Sequence, residues 1–320
     1  MRLLTKDRME LLTKYFCREA ILACFLILLI TVLCERQSRG QELEPRTYAA
    51  APVGTNILVV GYGRSSGDLT FDPALPITDA KATINSGFLG YVRSIDFFGR
   101  SGSVGLVTPY VWGNLEGNVA GAFQQARRSG LRDPAVRFAV NLKGAPAMDL
   151  KHFAAYKEKS NLGVSVVVSA PLGQYDPAKV LNLSGNRWAF KPEVGFTRKF
   201  KRTFMDAYAG VWLYTANNNF QGRVRKQEPI FITQFHLTYI INKKMWAAFD
   251  SNFYAGGRTS INGIHSNDLQ RNSRIGGTFA YKFNRRQSIK LNYATGAYTT
   301  IGGAFQSVGF AYQYIWGRGL

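Results

Sequence analysis

The chain has 320 residues, a net charge of +20, 32 glycines, 13% aromatic residues and a mean hydropathy of −0.12. That hydropathy excludes a bundle of apolar membrane helices but not a membrane β-barrel, whose strands alternate apolar and polar residues and average near zero. Cys17, Cys24 and Cys34 are the three cysteines, so everything beyond them is without a disulfide, a catalytic thiol or a cysteine metal site, as suits a protein that crosses an oxidising compartment.

Residues 1–20 are polar and basic (Arg2, Lys6, Arg8, Lys14, Arg18), and Ile21–Cys34 is the apolar run ILACFLILLITVLC. As a helix that run spans ~21 Å at ~1.5 Å per residue, short of a ~30 Å hydrocarbon core. A basic region, a short apolar region and then a polar stretch make a secretory signal peptide. Ser38 and Gly40 supply small residues at −3 and −1, placing cleavage after Gly40, and the long basic region admits Met9 as the true start. The chain thus divides into a leader, 1–40, and a body, 41–320. The body holds 33 basic and 16 acidic residues, net +17, a charge that draws anionic partners such as lipid phosphate or lipopolysaccharide. Nucleic acid would suit the charge, but an exported chain does not meet it.

Beyond residue 41 one unit repeats: about ten residues of period two, then a turn. About twelve such units are expected, at 54–63, 82–95, 102–113, 132–143, 161–172, 188–199, 203–215, 229–241, 244–255, 272–283, 287–298 and 304–316. Each is near the ~9–11 residues of a tilted membrane strand. Long connections (64–81, 114–131, 173–187, 216–228, 256–271) alternate with short ones (97–101, 200–202, 242–243, 284–286), the pattern of long outer loops and short periplasmic turns. The segment 144–160, with a short helix expected near Met148–Lys159, is long where a short turn is due. Trp112, Trp188, Trp212, Trp246 and Trp316 sit near strand ends, where indoles form interfacial girdles. Together these predict an all-β, antiparallel, up-and-down transmembrane barrel in the bacterial outer membrane. Ser307–Tyr314 in the last strand resembles the signal read by the barrel assembly machinery.

Burying the apolar face of each strand in lipid fixes what faces the lumen. Arg137, Lys191, Glu193, Asp206, Tyr208, Trp212, Tyr214, Asp250, Asn252, Arg274 and Lys290 are predicted to point inward, since Arg or Lys costs ~2–4 kcal/mol at the bilayer midplane. Asp206 and Asp250 are expected to pair with Arg137, Arg274 or Lys290. The first three strands have no clear phase. Gln174, Asp176, Arg187, Trp188 and Arg258 are expected at the outer entrance. Basic pairs in the inner turns and outer loops form either a solvated rim or a surface for lipid phosphate.

Chemical motifs are sparse. Gly61-Tyr-Gly-Arg-Ser-Ser-Gly67 lacks the spacing and the following helix of a dinucleotide site. His236 shares a polar face with Gln234 and Thr238, and a barrel lipase would use such a histidine with a serine, yet no GxSxG occurs. His265 and Asp268 are too few for a metal. No cofactor is expected.

Six stretches, GTNILVVGYGRSSGD (54–68), APLGQYDPAKVLNLSGNRWAFKPEVG (170–195), YAGVWLYTANNNF (208–220), YAGGRTSING (254–263), QRNSRIGGTFAY (270–281) and ATGAYTTIGGAF (294–305), are similar to the "MetA-pathway of phenol degradation" family. The resemblance covers nearly the whole body. It implies an outer-membrane barrel that moves small hydrophobic or aromatic compounds, with no catalytic residues. The sequence therefore favours a passive channel for a small molecule, with a closed structural barrel as the alternative and an outer-membrane lipase as the weaker third.

Overall fold

A computed structural model of the chain describes residues 43–70, 77–179 and 182–317. The leader and its cleavage site lie outside the described residues. In chain order the strands are β1 (Thr55–Thr70), β2 (Ile77–Phe97), β3 (Arg100–Val119), β4 (Ala122–Leu131), β5 (Ala135–Lys143), β6 (Ser160–Ser169), β7 (Ala189–Phe200), β8 (Thr203–Tyr214), β9 (Asn217–Phe220), β10 (Arg223–Gln227), β11 (Ile230–Ile240), β12 (Met245–Gly256), β13 (Thr259–Ile261), β14 (Ile264–His265), β15 (Gln270–Lys282), β16 (Gln287–Tyr298) and β17 (Gly302–Gly317). Among the described residues there is one helix, α1 (Leu150–Ala155), capped by Asp149, whose side chain accepts from His152 N.

Twelve strands close into an antiparallel barrel. β1 pairs with β17 from Thr55↔Gly317 upward and with β2 on its other edge, and the β2–β3 pairing completes the ring. Closure leaves no strand edge in lipid, where an unpaired backbone group would find no water. The twelve strands coincide with the twelve units predicted from period two.

The outer connections differ from expectation. β1, β2 and β3 run to 16, 21 and 20 residues, well beyond a bilayer crossing. Segment 114–131 is the β3–β4 hairpin, and β9, β10, β13 and β14 form a small separate sheet from 216–228 and 256–271. Above the membrane both strand faces meet water, so the apolar alternation that marks a membrane strand is missing there.

Alternation in exposure separates the two barrel faces. Along β7, Lys191, Glu193, Gly195 and Thr197 are buried while Val194 and Phe196 are both 45% exposed to the lipid side. β11 repeats the pattern, with Ile232, Gln234, His236 and Thr238 inward and Phe231, Phe235, Leu237 and Tyr239 outward. The first three strands have a definite phase: Val60, Tyr62, Leu89, Tyr91 and Leu106 are exposed outward, while Val59, Phe88, Val92 and Val107 border the lumen. Trp112, Trp188 and Trp316 are exposed as girdle residues; Trp212 stacks on Tyr214 inside, as its strand phase predicts, and Trp246, expected only at the girdle, faces the Lys290 ammonium. Strand parity, not nearness to a strand end, decides which face a tryptophan takes.

The lipid-facing assignment predicts a depth-dependent penalty. Phe235→Arg, near the middle of β11, is expected to lower unfolding free energy in phospholipid vesicles by ~2–4 kcal/mol, and Tyr239→Arg, at the strand end, by no more than ~1 kcal/mol. Equal costs would contradict the assignment.

Candidate functional site: the barrel lumen

The lumen has two unlike halves. The half built by β7, β8, β11, β12 and β15 is packed with polar side chains. Glu193 is its hub, 3.2 Å from Lys191 Nζ and 3.7 Å from Arg137 Nη2. Its carboxylate also accepts from Tyr48 Oη at 3.0 Å and from Gln234 Nε2 at 3.3 Å. Asp206 accepts from Thr197 Oγ1 at 2.5 Å and from the Arg46 backbone N at 3.3 Å. Asp250 lies 2.6 Å from His236 Nδ1 and accepts from Thr278 Oγ1 at 2.6 Å. Arg274 donates to Ser307 Oγ at 3.2 Å.

These pairings correct the expected ladder. Neither Asp206 nor Asp250 pairs with Arg137, Arg274 or Lys290. Register decides: Thr197 and His236 both stand opposite Asp206, and His236 also stands opposite Asp250. Directly opposed side chains are the nearest partners available in a sheet. Asn252 is buried on the same wall. Tyr208 also lies inside, its ring 5.3 Å from that of His236. His236 is fully buried, and among the described residues its Nε2 has no hydrogen-bond partner.

Residues 44–48, ahead of β1, enter the barrel. Tyr48 is 2% exposed. Its hydroxyl reaches Ser165 and Glu193, each at 3.0 Å, and its ring meets Tyr208 edge-on at 5.2 Å. Thr47 N donates to Tyr208 Oη, and Asn161 Nδ2 donates to Tyr48 O at 2.6 Å. Arg46 pairs with Glu158 at 2.6 Å and stands 3.6 Å over the Phe204 ring. Glu44 pairs with Lys290. The seat of Tyr48 is a notch between two glycines in register, Gly163 on β6 and Gly195 on β7. A Cβ at either would overlap the Tyr48 ring. That register-matched glycine pair was a signal the sequence held.

The other half is apolar. A cavity of about 670 Å³ lies between residues 44–51 and the wall of β1, β2, β3 and β17, where Ile57, Val59, Phe88, Val92 and Val107 line it. Arg137, Lys191, Glu193 and Lys290 add charged groups to its lining.

Toward the outer end Trp212 and Tyr214 stack 6.4 Å apart and pack on Ile230, Ile232 and Tyr254. Arg187 stands 4.3 Å over the Tyr214 ring and bonds Gln227; burial pushes its guanidinium down to about 10. The other residues predicted at the entrance have partners of their own. Trp188 stacks on Phe190 of the outward column. Asp176 is held below the usual carboxylate range by Lys179, 2.6 Å away in its own loop. Gln174 fastens its loop to Leu131 and Ser184 through the backbone, and the Arg258 carbonyl accepts from Glu228 N. Arg187, Tyr214 and Trp212 thus form one packed group toward the outer end. Glu193→Ala, which removes the carboxylate between Arg137 and Lys191, is expected to cost ~3–5 kcal/mol in unfolding free energy; a loss below ~1 kcal/mol would show that the cluster is not a structural hub.

No curated protein matches the chain. Among solved structures it is similar to an outer membrane channel, COG4313, from Pseudomonas putida F1, at 21% identity and a TM-score of 0.72, over 86% of this chain and 100% of that one. The transport unit of the autotransporter AIDA-I from Escherichia coli matches at 11% identity and a TM-score of 0.48, over 86% and 93%. A mutant of the TodX monoaromatic hydrocarbon channel matches at 12% identity and a TM-score of 0.45, over 85% and 91%. The family described as "Putative MetA-pathway of phenol degradation" matches residues 60–314. This twelve-stranded barrel belongs to that family.

Proposed function

We propose that the protein is an outer-membrane channel for passive uptake of a small hydrophobic or aromatic molecule, and that the route follows the apolar half of the lumen. The observation that carries this is the cavity of about 670 Å³, lined largely by apolar residues with a few charged groups among them. A cavity of ~150 Å³ already accommodates benzene, so a one-ring solute fits beside hydrating water. An apolar strip receives the ring, while the facing polar groups accept a hydroxyl or carboxylate. Trp212, Tyr214 and Arg187 form the entrance. Residues 44–51, seated by Tyr48, narrow the inner end. The reading gains support from the membership of the phenol-degradation family and assigns no catalytic step or cofactor.

The finer parts of the reading rest on sequence. Residues 1–40 act as the export signal, cleaved near Gly40. The strand containing Ser307–Tyr314 engages the assembly machinery, and the outer basic loops meet lipopolysaccharide. A closed structural barrel is the competing reading, favoured by the tight packing of Glu193, Asp206 and Asp250.

Swelling of proteoliposomes in phenol and in benzoate tests the route. Wild type is expected to admit at least one of them above empty liposomes, and no permeation of either would contradict the proposal. Val59→Trp with Val107→Trp, which fills the apolar strip, is expected to reduce the rate several-fold. Tyr48→Ala and Gly163→Val unseat the inner segment from opposite sides. Both are expected to raise planar-bilayer conductance, and unchanged conductance in both would remove the segment from the path.

A further inference from the structure

We propose that the inner rim of the barrel is a binding surface for anionic phospholipid headgroups. This goes beyond the transport reading and rests only on the barrel standing in a membrane with its short turns on the periplasmic side. The five connections at the end that holds Gly54 and Gly317 are 96–101, 143–160, 198–202, 241–245 and 282–287. They contain 14 Lys and Arg against three Asp and Glu. A net +11 of the body's +17 is thus concentrated on one rim, and all 14 basic residues are exposed.

The few acids there are already engaged. Asp96 accepts from Gly99 N at 2.7 Å, Asp149 caps α1, and Glu158 pairs with Arg46. Among the described residues, none of the 14 cations makes an ion pair with an acid. Like charges crowded on a ring repel one another, and a layer of phosphates at the same height relieves that repulsion.

The second observation is the company these cations keep. Three of the four short turns set basic residues within two positions of an exposed aromatic, and the fourth carries one at the end of the strand that leads into it. Phe98 is 90% exposed and two residues from Arg100. Phe200, 49% exposed, lies between Lys199 and Lys201, with Arg198 Cζ 5.5 Å over its ring. Tyr239 is 49% exposed on the strand leading to Lys243 and Lys244, and Phe283 is 45% exposed before Arg285 and Arg286. Aromatic rings settle at the boundary between hydrocarbon and headgroup. Cations one or two residues further out then stand at the level of the phosphates, where basic side chains near an anionic leaflet are attracted within a Debye length.

Spin-labelled lipid in vesicles of the refolded chain tests this. Motionally restricted lipid at the barrel surface is expected to be enriched in phosphatidylglycerol over phosphatidylcholine. The enrichment should fall in high salt and be lost in K201E/R202E/R285E/R286E, and it should persist in the outer-loop variant R127E/R128E. The paired variants K201E/R202E and R285E/R286E, each expected to lose part of it, serve if the fourfold one does not fold. Equal restriction of the two lipids overturns the proposal, as does loss only in the outer-loop variant, which would move the lipid contact to the other end. Full competition by inorganic phosphate at matched ionic strength would also overturn it, reducing the rim to a free-anion site. Solute uptake should stay unchanged in every inner-turn variant, so failure here is distinct from failure of the channel reading.

Discussion

A strand in hydrocarbon has no water for its amides and tolerates no charge on its lipid face. These two demands govern the rest of the molecule. The first closes the sheet into a ring, since an open edge would leave a row of unpaired backbone groups. The second sends Lys191, Glu193, Asp206, Asp250 and Arg274 inward, because each is interleaved with residues that must face acyl chains. Charges so confined must then be matched within a narrow interior, and the polar half of the lumen is the outcome.

Matching is achieved locally. Asp206 and Asp250 gather donors from the strands immediately beside them, Glu193 gathers its own from β5, β7 and β11, and the chain's Arg46, Thr47 and Tyr48 complete what the wall leaves unfilled. Consolidating polar groups on five strands frees the remaining wall to be apolar and glycine-rich. The cavity lies on that side. Half of the interior is thus packed polar filling, and the other half borders a cavity of about 670 Å³.

The number of strands, their positions and the inward columns of β6 to β16 were legible because lipid imposes strict alternation. In β1–β3 apolar residues fall on both faces: Val59 and Val60 differ only in which side they meet, so period two gave no phase. Pairing partners were not legible. Asp250 meets His236 rather than Arg274 because of register, which alternation does not report. Tyr48 was missed because its role depends on a notch formed by Gly163 and Gly195, far from it in sequence. Trp188 was misplaced for another reason: its position in the loop suggested an entrance, but its parity with Phe190 turns it outward. The outer hairpin β3–β4 escaped notice because its sides are wetted alike.

The cysteine-free body allows the division of the lumen to be probed directly. Single cysteines at Val107, on the apolar strip, and at Thr238, in the packed half, are compared in reconstituted protein for their rate of reaction with a small water-soluble thiol reagent. The account predicts fast modification at position 107, slowed by added phenol, and negligible modification at position 238. Equal rates at the two positions, or a rate at 107 that phenol leaves untouched, would contradict it.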